Sequence, residues 1–102
     1  MNRDWHAELV ALIAGRGSNV EGYKRRMEAA EELTPEVLRD EFGHGGGTYT
    51  LTDGTRGHEW HSPKGVQFSI GWEDDRTDSP LFSWDAVAKV AREVFGHEQA
   101  LF

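Results

Sequence analysis

Two short stretches hold most of the side chains that could do chemistry. His44-Gly45-Gly46-Gly47 sets an imidazole beside three glycines, and His58-Glu59-Trp60-His61 offers two imidazoles and a carboxylate within four residues. A His-Gly-Gly-Gly run can serve as the oxyanion loop of an esterase, but that chemistry needs a Gly-x-Ser-x-Gly elbow in a long α/β sheet. The chain has no such elbow. Glycine amides can also cradle a phosphate. The phosphate-loop pattern is absent, because no Lys-Ser/Thr follows the glycines. The simpler expectation for residues 43–47 is a close-packed passage from helix to strand. On a strand, positions 58 and 61 point to opposite faces, which makes a poor chelate. The expected catalytic set is therefore none, and no metal or other cofactor is expected.

Charge supplies two further candidates. Lys24-Arg25-Arg26 is the only basic run. With Lys64 it could touch phosphates; the competing reading is a solvated helix face paired with Glu21 and Glu28 at i±3 or i±4. Glu73, Asp74, Asp75 and Asp78 crowd one polar stretch. They read either as a soluble loop or as an acidic patch that meets a basic groove on a nucleic-acid-handling protein. Tyr49 or Trp72, at the end of a sheet, could be an exposed aromatic interaction anchor.

The elements that must position these residues follow from periodicity. Trp5, Leu9, Leu12 and Ile13 share one face of a helix over residues 4–14, which Gly15 and Gly17 stop. Ser18, with Glu21 three residues on, reads as a capping box opening a second helix whose stripe is Val20, Tyr23, Met27 and Ala30. Gly22 inside that helix suggests close contact with a neighbouring helix. Thr34-Pro35 begins a third helix, which should end at Phe42 with Gly43 as a left-handed cap.

The period then changes to two. Residues 48–52 form a strand, Asp53-Gly54 a hairpin turn, residues 56–61 the return strand with Trp60 facing the core, and residues 66–72 a third strand. Residues 73–80 read as an acidic loop. Ser83 caps a last helix running to Phe95, with Trp84, Val87, Ala91, Val94 and Phe95 on its buried face. The expected fold is α+β: N-terminal helices (residues 1–43), then a three-stranded antiparallel meander and a C-terminal helix packed on the sheet (residues 44–102), in one domain. Trp60, Phe68, Trp72, Trp84 and Phe95 are expected mostly in the core.

The 102 residues carry a formal charge of −7 and no cysteine, which excludes disulfide and thiol chemistry. Acids are spread evenly, nine in residues 1–42 and nine in 43–102, against six and five bases. That balance argues against a generic phosphate-binding surface. No apolar run has the length of a membrane span and the N-terminus lacks a signal-peptide pattern, so a cytoplasmic protein without membrane contact is expected.

Gly17-Ser18…Lys24-Arg25, Leu38…Glu41-Phe42-Gly43-His44-Gly45-Gly46, Asp53-Gly54, Lys64-Gly65-Val66 and Leu81-Phe82-Ser83-Trp84…Val87-Ala88 fall in an order that resembles a small glycine-rich module. That module occurs in large polyvalent proteins of phages and conjugative elements, beside helicase-like and DNA-methylase-like regions. The resemblance covers residues 17–95, with the module here standing alone, and carries no catalytic residues. It implies a mobile-element setting. The expected function is a non-enzymatic, acidic protein-binding module, in its specific form an anti-CRISPR or anti-restriction inhibitor that occupies a basic surface of a host or phage protein. The alternative is a small nucleic-acid-binding domain, since residues 34–95 run helix, three strands, helix as double-stranded-RNA-binding domains do. Against it, the last helix opens Ser83-Trp84-Asp85 rather than with lysines.

Overall fold

The computed structural model describes residues 4–71 and 73–95. Four helices, α1 (Trp5–Ile13), α2 (Glu21–Ala29), α3 (Pro35–Phe42) and α4 (Trp84–Phe95), accompany five strands, β1 (Gly17–Ser18), β2 (Gly45–Leu51), β3 (Arg56–Ser62), β4 (Gly65–Ile70) and β5 (Thr77–Asp78). The strands form one antiparallel sheet in chain order. The class is the expected α+β, with two more strands than expected.

Both extra strands are two residues long. Gly17 and Ser18 pair with Leu51 and Thr50, so Ser18 does not cap α2. Asn19 turns the chain with φ 71°, and Val20 takes the cap position without a side-chain hydrogen bond. Pairing with β2 outweighs the capping box because it satisfies backbone groups on both strands. At the other edge, the expected acidic loop is structured. Glu73–Asp75 make a 3-10 turn, and Thr77 and Asp78 pair with Ile70 and Ser69. Ser79 fastens this segment: its hydroxyl accepts from the Phe68 amide at 3.0 Å, and its own amide donates to the Phe68 carbonyl at 2.7 Å.

The local signals elsewhere hold. Asp4 and Thr34 cap α1 and α3 through their side chains, and Pro35 opens α3. Asp53 accepts from the Thr55 amide at 2.9 Å in the hairpin turn. Ser83 accepts from Ala86 at 3.2 Å at the start of α4. Gly43 ends α3, but with φ −73° rather than left-handed. It is needed for space, since a Cβ there would lie 2.3 Å from the Arg39 carbonyl.

The helices cover one sheet face, where Tyr49, Leu51, Val66 and Phe68 meet Leu9, Ile13, Met27, Leu38, Phe42, Val87 and Ala91 in one core. Register decides what β3 contributes. Tyr49 lies opposite Gly57, and Glu59 opposite Phe68. Residues 57, 59 and 61 therefore face the helices, and residues 58 and 60 face outward. Trp60 does not face the core: it is 43% exposed. Gly57 fixes this register, because a Cβ there would sit 2.8 Å from the Tyr49 hydroxyl and 2.3 Å from the Ser69 carbonyl. Trp84 is buried as expected, and its indole N–H donates to the Ser62 carbonyl at 2.8 Å.

Candidate functional site

The inward register of β3 puts Glu59 and His61, two residues apart, on the same face as the helices. Tyr23 reaches them from the apolar stripe of α2. Its hydroxyl donates to Glu59 Oε1 and also contacts His61 Nε2. His61 Nε2 and Glu59 Oε1 stand 2.6 Å apart. At this separation the imidazole and the carboxyl share a hydrogen. All three side chains are about nine-tenths buried or more. Burial, then the Glu59 charge and the hydrogen bond to it, push the Tyr23 phenol far above its ordinary range, with Arg26 pulling weakly the other way. Tyr23 therefore remains a proton donor. Both contacts to Glu59 fall on Oε1, leaving Oε2 outside the triangle.

These groups floor a cleft of about 330 Å³ between α2 and β2. Asn19, Gly22, Tyr23 and Arg26 form the α2 side; His44, Gly46, Gly47 and Thr48 form the β2 side. Here the glycine cluster shows its use. Gly47 sits opposite Glu59 in the ladder, and a Cβ on it would meet nothing within 4 Å. Any side chain at that position would project into the cleft and cover its floor. Gly22 behaves similarly: a Cβ would make only ordinary contacts with the tips of Arg25 and Arg26. The expected close helix contact is not what that glycine serves.

The β2 edge above the cleft is also open. Thr52 N–H donates to Arg16 O, and Asn19 Nδ2 donates to Thr48 O at 3.2 Å. Alternation along the strand then directs the backbone groups of Gly46 toward the same side. β1 pairs only as far as Thr50, so it does not reach them.

The sequence-derived candidates scatter around this site. Lys24, Arg25 and Arg26 are exposed on α2, and Arg26 lines the cleft itself. Arg26 pairs with Glu41 at 3.4 Å and lies over the Phe42 ring at 4.4 Å; the expected partners of the run were Glu21 and Glu28. Lys64 is exposed in the β3–β4 turn. Tyr49 is 1% exposed, so it is a core residue and no surface anchor. Its ring spans Gly57, the only residue type that leaves room for it. Trp72 lies outside the described residues, as does the side chain of Glu73. Asp74, Asp75 and Asp78 are exposed. Asp78 accepts from Arg76 Nε at 2.8 Å, and the Arg76 guanidinium lies 5.3 Å from the centre of the Trp60 ring. Trp60 stacks on His58 at 5.9 Å. Among the described residues, the exposed aromatic linked to this segment is thus Trp60.

Sequence reasoning missed Tyr23, Glu59 and His61 as a group. The parity of 59 and 61 was a usable signal; the approach of Tyr23, 36 residues before Glu59, was not. Among the described residues no three His, Asp or Glu side chains converge as a metal site, and no helix is long and apolar enough to cross a membrane. No known protein family, curated protein or solved structure matches this chain.

Proposed function

We propose that this chain is a protein-binding module that docks through the outer face of its sheet onto a basic surface of another protein. The observation that carries this reading is the adjacency of exposed Trp60 to the acidic segment, bridged by Arg76 and Asp78. An exposed Trp supplies apolar area, and surrounding carboxylates steer a Lys/Arg-rich partner. The formal charge of −7 favours the same partner class. The resemblance to a mobile-element module suggests the setting, with an anti-defence inhibitor as its specific form.

The test is parallel capture from a host lysate. Wild type, Trp60→Ala and the triple variant Asp74→Lys, Asp75→Lys, Asp78→Lys serve as baits. Proteins that bind wild type, elute with salt and are missing from both variants support the reading. Identical capture profiles for all three baits remove it.

A second reading, contact with nucleic acid, is favoured by one observation: the only basic run borders the polar cleft through Arg26. A gel shift with single- and double-stranded RNA at low salt tests it. Retention that disappears in a Lys24→Glu, Arg25→Glu variant supports it, and absence of any shift rules it out.

A further inference from the structure

The cleft contains more than a binding surface needs. Its floor is a carboxylate held by a phenol and an imidazole, and its lining adds a second imidazole, a guanidinium and an amide. It has no cysteine, serine or lysine among its lining residues, and Thr48, opposite His58, points its side chain to the outer face. Such a set offers a general base, a general acid and a cation. It suits a substrate that brings its own nucleophile, and the ribose 2′-hydroxyl beside a phosphodiester is one.

We infer that the cleft between α2 and β2 cleaves single-stranded RNA by internal transesterification, with Glu59 as the base, His44 as the acid and Arg26 on the phosphate. This rests on the second reading above, that nucleic acid enters at the basic wall of α2. Glu59 takes the proton of the 2′-hydroxyl. The 2′-oxygen attacks phosphorus, the bond from phosphorus to the 5′-oxygen breaks, and His44 in its protonated form gives that oxygen a proton. The products are a 2′,3′-cyclic phosphate and a 5′-hydroxyl end. Glu59 leaves the step protonated and His44 neutral, and exchange with water restores both.

The geometry assigns each role. Glu59 is fixed by Tyr23 and His61, which hold its Oε1 and leave Oε2 outside that contact. Positioning residues of this kind orient a base without touching substrate. Arg26 lines the cleft while its contact to Glu41 is long, 3.4 Å, and exposed. A phosphate offers a guanidinium a better bidentate partner. His44 is exposed and lines the same cleft from the turn that precedes β2. Gly47 carries no side chain into the space between these groups, which lets a sugar-phosphate unit approach the floor. Single strands fit better than duplexes, because a cleft of about 330 Å³ holds one unit of a single strand and not a helix.

The experiment uses the whole chain in EDTA with three probes: a mixed-sequence RNA oligonucleotide, its all-deoxy counterpart and its 2′-O-methyl counterpart. The expected result is cleavage of the RNA alone, with a 2′,3′-cyclic phosphate end. Glu59→Gln and His44→Ala should each slow cleavage on the order of 100-fold or more. His44 is exposed, so that variant keeps its fold even if Glu59→Gln does not. The 2′-O-methyl strand binds without being cut, so its retention isolates the second reading from the chemistry. Retention of that strand with uncut RNA overturns the transesterification and leaves the binding intact. Cutting of the deoxy strand, or cutting untouched by His44→Ala, overturns it as well. No retention and no cutting overturn both.

Discussion

The two faces of the sheet show opposite uses of the same strand. On β3, residues 58 and 60 stack against each other in solvent, while residues 59 and 61 are sealed into a polar triangle with Tyr23. The outer pair sets an exposed indole on a half-buried imidazole; the inner pair is ionisable and buried. A strand chosen for stability alone would reverse both, because burying a carboxylate carries a desolvation penalty and exposing an indole forgoes apolar burial. The parity is set at Gly57, where only a glycine leaves room for the Tyr49 ring, and Tyr23 and His61 supply the partners that a buried Glu59 needs. The core is supplied instead by the neighbours on either side, Tyr49 and Leu51 on β2 and Val66 and Phe68 on β4.

The comparison is broken most sharply at Gly47. Gly47→Leu is compatible with the backbone and meets open space, so the fold should keep its melting temperature within a few degrees. RNA retention and cleavage should fall on the order of 100-fold, as misplacement in a site does, while capture of partner proteins stays unchanged. Loss of both activities together would show that the two faces are one site.

Trp60→Ala should do the reverse. As the exposed aromatic of the outer face it should weaken partner binding by about 2 kcal/mol, the scale of an interface anchor. Cleft activity should be untouched, and stability should change by no more than about 0.5 kcal/mol, as for other surface substitutions. A titration of purified partner against both proteins measures the first, and denaturant unfolding the second.

Tyr23→Phe sharpens what the triangle contributes to the fold. Removing a buried donor to a carboxylate should destabilise the domain by about 1.5–3 kcal/mol. It should also alter the alkaline limb of the stability profile. A free tyrosine titrates near pH 10, whereas Tyr23 in the folded chain stays protonated well above that. Below about pH 10 both states hold the proton and the full contribution is present. Above it the unfolded chain releases the proton first, so stability falls with rising pH. Wild type should therefore lose melting temperature between about pH 10 and 11 faster than Tyr23→Phe. Parallel curves would place the phenol in an ordinary environment.

The smallest effect is expected at Arg76→Ala. Its ion pair with Asp78 is about half exposed on both sides, and such pairs contribute about 0.2–1 kcal/mol. The more informative readout is the ring it covers: indole fluorescence should change when the guanidinium leaves Trp60.

What could be read from the sequence were the features decided locally. The Thr34-Pro35 cap, the Asp53-Gly54 turn and the Ser83 cap each depend on three or four consecutive residues. What could not be read depended on distant partners. Ser18 has the chemistry of a cap, yet its pairing with Thr50 claims it for the sheet. Thr77 and Asp78 look like a polar loop until β4 offers them a ladder. Large rings usually lie inward, but the register set at Gly57 turns Trp60 outward. The site was half visible: Glu59 and His61 share a face by parity, and only tertiary structure brings Tyr23 to them. Tyr49 shows the same limit in reverse, since nothing local distinguishes a buried ring from an exposed anchor.

Strands β2, β3 and β4 are joined by tight hairpins, so most of the sheet can assemble from near neighbours in the chain. The contact of Ser18 with Thr50 is different: it closes a long loop that contains both α2 and α3. Ring closures of that kind slow folding and come late. On this ground β1 should join β2 after the hairpins of β2, β3 and β4 have formed. Native-state hydrogen exchange should find the amides of residues 17–29 opening at lower free energy than those of β3 and β4. Release of β1 would free Gly17 and Ser18 from the sheet edge, while Val20, Tyr23 and Met27 still anchor α2 to the interior.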